Sequence, residues 1–271
     1  MAGPKNATTD EVSGLRWYTW LGERYLSVTS LRRILGMPFN LAMWQVGQVV
    51  DAAYEHAESI SMQKATATND KQRAAVKTFI RKHAMANRDK AGSLGTAVHE
   101  ATDMGLAPTD GSLTDEMRPF IAHYHHAVKT LGLTTLLSER QVWSKRLRYA
   151  GSLDRVWQRG TNVVLGDLKT GKGLYVEHLL QLMAYSLADF VGEDDIEDAA
   201  ATKLLWQVNR LAVLHLQPDG WEYLEIEPTK EAYRAFEAMV TLANFMRAND
   251  SLDPFITTRI TGAAPEEDWK Q

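Results

Sequence analysis

The chain has no cysteine. That excludes a disulfide framework, a thiol nucleophile and any cysteine-held zinc or iron–sulfur centre. Long hydrophobic runs are also missing: no stretch approaches the roughly eighteen apolar residues of a membrane span. Residues 1–11 carry neither the basic nor the apolar segment of a secretory signal. A cytoplasmic protein with no membrane partner is therefore expected. Nor is there an excess of positive charge, since the net charge is −4 and the pI about 6.1. A protein that coats nucleic acid non-specifically relies on such an excess to release counterions from phosphates. A local basic groove is not excluded.

What is present is enough chain for a sizeable core, at 271 residues and 45% hydrophobic. The composition suits one domain, or a catalytic core with a helical appendage, and the division expected is a cap over residues 1–90, a core over 91–250 and a tail over 251–271. Charge is uneven along it. Lys64, Lys71, Arg73, Lys77, Arg81, Lys82, Arg88 and Lys90 face only Asp70 and Asp89, and a second basic group gathers Arg140, Lys145, Arg146, Arg148 and Arg155. Acidic residues concentrate at Glu193, Asp194, Asp195, Glu197 and Asp198. A basic run is in general a solvated face, but beside a site that takes a polyanion it is a track for that polyanion's backbone.

The pattern predicts disorder over residues 1–14 and a hairpin over 16–28 turning at Leu21 and Gly22. Ser30 is placed to cap a short helix ending near Gly36, and Asn40 a longer one. Helices are predicted over 70–86, 91–104 and 114–131. The last opens on Ser112-Leu113-Thr114-Asp115 as a variant capping box and closes at Gly132. Strands over 136–149, 150–158 and 162–168, a helix over 176–190, strands over 209–217 and 221–227, and a helix over 229–248 complete the reading.

Four short motifs fall on these elements in order. Gly95-Thr96-Ala97-Val98-His99-Glu100 lies on a helix and Gly151-Ser152-Leu153-Asp154 on a strand. Asp167-Leu168-Lys169 ends the apolar run Val163-Val164-Leu165, and Gln181-Leu182-Met183-Ala184-Tyr185 lies on the next helix. Two carboxylates on neighbouring strands can face one hard cation, and Lys169 leaves an extended strand on the same face as Asp167. Gln181 and Tyr185, four apart, share one helical face. The series Gly-x-x-x-His, Gly-x-x-Asp, Asp-x-Lys, Gln-x-x-x-Tyr resembles the RecB-like branch of the PD-(D/E)XK nuclease superfamily. That branch includes nuclease domains of recombination helicases and phage and CRISPR-associated exonucleases. The motifs span about residues 91–190, and residues 27–31 resemble phage-encoded members more weakly.

The resemblance implies an α/β (α+β) restriction-endonuclease-like core, a mixed sheet flanked by helices, with an N-terminal helical region. It implies Mg2+ or Mn2+ held by His99, Asp154, Asp167 and the Leu168 carbonyl, with Lys169 as the catalytic cation. Gln181 and Tyr185 would contact substrate or brace the lysine, while Glu100 and Glu139 are either outer groups or ordinary surface carboxylates. DNA is the implied substrate, with a homo-oligomer or a recombination protein as further partner, in the bacterial host cytoplasm if the chain is phage-encoded. Relatives bearing an iron–sulfur cluster are not matched, since the cysteines are absent. The alternative is a protein that keeps the fold and binds nucleic acid without cutting it. Two other readings fail on single residues: Gly166–Gly173 nearly spells a phosphate-binding loop but has Gly173 where a hydroxyl is needed, and His99-Glu100 begins a zinc-protease helix but has Asp103 where the second histidine belongs. His123, His125 and His126 have no matching ligand run.

Overall fold

In the computed structural model, residues 7–10, 14–31, 36, 39–249, 251 and 253–258 are described. The chain forms a ten-stranded mixed sheet with helices on both faces. Its centre is antiparallel β4 (Leu133–Ser144), β5 (Tyr149–Arg159) and β6 (Asn162–Lys169). After β6 the chain crosses over through α6 (Val176–Ser186) and returns as β9 (Arg210–Gln217), parallel to β6, with β10 (Gly220–Ile226) at the edge. At the start of the chain β1 (Ala7–Thr9), β2 (Arg16–Trp20) and β3 (Glu23–Ser27) extend the sheet, β3 lying parallel to the first residues of β5. Residues 7–9, read as disordered, thus pair with β2, because a strand edge was available to receive them.

One face of the sheet packs Leu153, Val156, Leu165 and Val213 against α6 and α8 (Lys230–Ala248). The other packs Trp157, Val164, Leu168 and Leu214 against α4 (Asp70–Asp103) and α5 (Arg118–Leu131). This is the sheet alternation expected of a half-buried strand with helices on both sides.

The helical region differs from the sequence reading in one consequential way. Predicted helices over 70–86 and 91–104 are a single 34-residue helix, α4. The apolar period lapses over the polar stretch near residue 90, yet no proline interrupts it, and buried Val98 and Ala101 anchor the far end. Asn69 and Gln72 close its start with a reciprocal capping box. The helix passes through residue 90 without a break. It packs against α2 (Phe39–Glu55) and α3 (Ala57–Thr66), and α1 (Val28–Leu31) begins at the hairpin's end. The Asn40 side chain and the segment 32–35 before Gly36 lie outside the described residues. Ser30 does not cap; its hydroxyl accepts from the Ser27 hydroxyl and the Arg16 N–H.

Two further corrections concern local motifs. α5 begins at Arg118 with Pro119 in its first turn and no side-chain cap, while Ser112 is tied into a turn with Asp110. Gly132 does end it, at φ 63°, where glycine is the least strained residue. α6 stops at Ser186, so Phe190 opens a strand, β7 (Phe190–Glu193), against β4; β8 (Ile196–Glu197) and α7 (Ala199–Trp206) follow. Such short pieces exist through pairing: Trp143 Nε1–H donates to the Gly192 carbonyl at 2.8 Å.

Candidate active site

The register of the central strands builds the site. Ser138 pairs with Arg155 and Arg140 with Leu153, which sets Glu139 opposite Asp154. Arg155 pairs with Gly166, so Asp154 and Asp167 sit side by side just beyond that last pair. Three carboxylates therefore stand in a row across three strands roughly 4.8 Å apart. Both β4 and β5 lose strict alternation at this level. Leu137 and Val142, and likewise Leu153 and Val156, enter the same core despite odd spacing. Glu139 takes up the change at φ 46°, a left-handed conformation costing a non-glycine residue about 1–3 kcal/mol. A plain alternating strand would not aim Glu139 where it points.

α4 brings His99 to this row from the side. An ideal Cβ on Gly95 would lie 3.0 Å from Thr170 Oγ1, so the bare glycine sets how near the helix comes to the end of β6. His99 Nε2 is 3.1 Å from the Leu168 carbonyl, which assigns that nitrogen as the donor. Nδ1 is then left facing Glu139 Oε1 at 3.6 Å and Asp154 Oδ2 at 3.7 Å. An imidazole lone pair opposite two carboxylates is stable only with a cation between them or a proton on the ring. Burial pulls the His99 pKa down, but the Asp154 and Glu139 charges outweigh it, and the net shift is upward. One ligand atom from each of His99, Glu139 and Asp154 lies within 4.8 Å of the others, a donor set that can hold a metal. Asp154 Oδ2 also accepts from the Leu168 N–H at 2.8 Å, which fixes its rotamer.

Asp167 is 1% exposed and otherwise engaged. Oδ1 accepts from Gln181 Nε2 at 3.1 Å, and Oδ2 pairs with Lys169 Nζ. Its pKa is pushed up to about 6, chiefly by burial, with Lys169 opposing and Asp154 adding. The Leu168 carbonyl accepts from Lys169 Nζ at 3.3 Å as well as from His99. Gln181 also donates to Tyr185 Oη at 3.2 Å; buried Tyr185 packs its ring against Gly151, where a Cβ would come within 2.6 Å. Asp167 and the Leu168 carbonyl, both expected as metal ligands, thus lie beside the tight cluster; the carbonyl and Asp167 Oδ1 accept from protein donors, while buried Oδ2 has only its ion-pair contact with Lys169. Glu139, read from sequence as outer shell or surface, lies inside it. Only its place two strands across from Asp167 could have flagged it, and sequence does not show that spacing.

Arg155 is fully buried beneath Glu139. It donates to the Asp154 carbonyl at 2.7 Å and to Thr102 Oγ1 at 3.0 Å, with Glu139 at 3.5 Å and Asp103 at 3.7 Å. Its charge is spent on holding the row. The rest of the second basic group is matched too: Arg140 by Asp198, Lys145 by Glu197, Arg146 by Glu237 and Arg148 by Glu23. The acidic run that sequence set apart folds directly onto this group, so the group is not the open basic track read from sequence. Glu100 is exposed on α4. The other histidines serve backbone carbonyls or an aromatic: His123 with Gln217, His125 with Leu106, and His126 with the Trp221 indole.

Comparison with known proteins agrees with this architecture. The profile of the PD-(D/E)XK nuclease superfamily matches residues 25–255. The chain belongs to that superfamily, whose members are nucleases acting on nucleic acid with divalent metals. No curated protein matches. A solved structure, described as that of SSO0001, is similar over 79% of this chain and 82% of its own at 15% identity and a TM-score of 0.30. Among the described residues no helix is long and apolar enough to cross a membrane.

Proposed function

We propose that the chain is a RecB-like, Mg2+- or Mn2+-dependent deoxyribonuclease, acting as an exonuclease in recombination, repair or phage DNA processing. The observation that carries this reading is the carboxylate row of Glu139, Asp154 and Asp167, flanked by His99 on one side and Lys169 on the other. His99, Glu139 and Asp154 would hold the cation, with Asp167 and the Leu168 carbonyl joining on a small shift of Lys169. A divalent cation there supplies Lewis-acid polarisation of the phosphate and a water of lowered pKa. An imidazole among oxygen ligands favours manganese over magnesium.

The protein's own groups do the rest. Lys169 Nζ orients the attacking water and offsets negative charge building on the phosphoryl oxygens. Water adds to phosphorus, the bond to the 3′ oxygen breaks, and that oxygen takes up a proton, leaving 5′-phosphate and 3′-hydroxyl ends. Gln181, braced by buried Tyr185, holds Asp167 in its rotamer and faces the substrate. Within residues 1–90, α2, α3 and the first turns of α4 act as the cap on the core of 91–250, while β2 and β3 extend the core's own sheet; residues 251–271 follow as a tail.

The test is digestion of end-labelled linear and circular DNA, single- and double-stranded, with Mn2+, Mg2+ or EDTA. Wild type should degrade linear DNA with metal, and Asp167→Ala and Lys169→Ala should not. Binding by wild type without cleavage under every condition would leave a non-catalytic or partner-dependent nucleic-acid-binding protein instead.

A further inference from the structure

α4, whose last turns carry His99, also carries most of the first basic group, of which Lys90 is paired with Glu116 and Arg73 lies near Asp70. At 3.6 residues per turn, Arg73, Lys77, Arg81 and His99 fall within an arc of roughly 80°. The packed flank adjoins this arc, through Val76, Phe79, Ile80, His83, Val98 and Ala101, and buried Ala84 marks the edge where the two meet. Lys77 and Arg81 are exposed, and Arg73 is 65% exposed with only a loose contact to Asp70 at 3.5 Å. Between Lys71 and Arg88 the helix has no acidic residue. The second basic group, which sequence placed beside the site, is neutralised by its carboxylate partners. Lys77 and Arg81 thus present exposed positive charge on the helix that reaches the site, while Arg140 and Lys145 are held by close carboxylate partners.

We infer that this flank of α4 is a phosphate-backbone track, along which nucleic acid lies while one phosphodiester occupies the His99 end. The inference rests on the nuclease reading for its orientation, but not for its chemistry, which is exposed lysine and arginine against phosphate. At 1.5 Å per residue, Arg81, Lys77 and Arg73 stand about 27, 33 and 39 Å along the axis from His99. At about 3.4 Å per base pair, a duplex first meets the track roughly 8 base pairs from the scissile bond and leaves it near 11. Substrates shorter than this reach the site without it.

The experiment compares wild type with Lys77→Ala/Arg81→Ala and with Lys71→Ala/Lys82→Ala, which removes the same charge from a neighbouring flank. Binding to labelled hairpins of 6 and 24 base pairs, and to single strands of 4 and 30 nucleotides, is followed by anisotropy in EDTA across 50–200 mM salt. Cleavage of the same substrates is followed with Mn2+. The track variant should flatten the log–log salt slope for the long substrates by about 1.4–1.8, at 0.7–0.9 per lost phosphate contact. The flanking variant should leave the slope near wild type, and binding to the short substrates should be the same in all three. Equal slopes for wild type and track variant, or equal losses from both variants, would overturn the track. If nothing is cleaved but the slope responds as stated, the track stands and the nuclease assignment falls. If cleavage occurs with no slope response, the reverse holds.

Discussion

Replacing Asp167 by asparagine should make the metal-free protein more stable at pH 8, although it removes a charged partner of Lys169. Asp167 is 1% exposed, and its pKa stands near 6 instead of 3.8, mainly through burial. Between about pH 4 and 6 the native state keeps a proton that the unfolded chain has released, so this group lowers stability as pH rises through that window. Above the window the full cost of ionisation applies, about 3 kcal/mol for two pKa units. Asparagine has no such cost, and its Oδ1 can still accept from Gln181. The Lys169 contact is already contained in that net shift, where it opposes burial. Urea unfolding in EDTA should thus show the variant ahead by about 1–3 kcal/mol at pH 8, and level with or slightly behind wild type at pH 4. His99, whose pKa is raised, adds stability at low pH in both proteins and cancels in the difference. Excess Mn2+ should narrow the gap at pH 8 to the extent that asparagine weakens the site, by at most about 2.7 kcal/mol at 100 times the wild-type Kd. A stability difference that is the same at pH 4 and pH 8 would refute the claim that ionisation of a desolvated carboxylate governs this position.

Glu139→Ala should weaken Mn2+ binding by about 10–100-fold or more in calorimetric titration, the range seen when groups supporting a metal are lost; unchanged affinity would remove Glu139 from the metal set. Gly166→Ala should destabilise by about 3 kcal/mol or more, because the new Cβ would lie 1.8 Å from Cζ3 of the fully buried Trp157; a urea midpoint matching wild type would show that the indole can move aside. Lys169→Met should lose about 100- to 10,000-fold in cleavage rate while keeping DNA affinity; parallel loss of both would make Lys169 a binding residue instead.

The elements that carry the site were legible because each reports itself locally. Val163-Val164-Leu165 ends in Asp167 and Lys169, an alternation that survives as β6; Gly95 and His99 share a helix face; Gln181 and Tyr185 share another. The turn at Gly132 and the hairpin before Ser27 are likewise local chemistry. The misread segments are those whose structure is held from afar. β7 exists because β4 offers it an edge, and β8 pairs in turn with β7; α4 stays unbroken through a polar stretch because its start is capped and its far end buried.

The order and type of the motif residues, and with them the family and its chemistry, were determined by sequence alone, because strand and helix periodicity place side chains within an element without reference to the rest of the chain. Which residues converge was a tertiary matter. Register across β4, β5 and β6 set Glu139 beside Asp154, and a left-handed residue turned it toward His99. Asp167 was withdrawn into a contact with Lys169 and Gln181. The fold also decided which charges remain available, by laying Glu197 and Asp198 on Lys145 and Arg140 while leaving Lys77 and Arg81 in water. Distances between strands and pairings between distant charges depend on how the whole chain packs, and no local pattern encodes them.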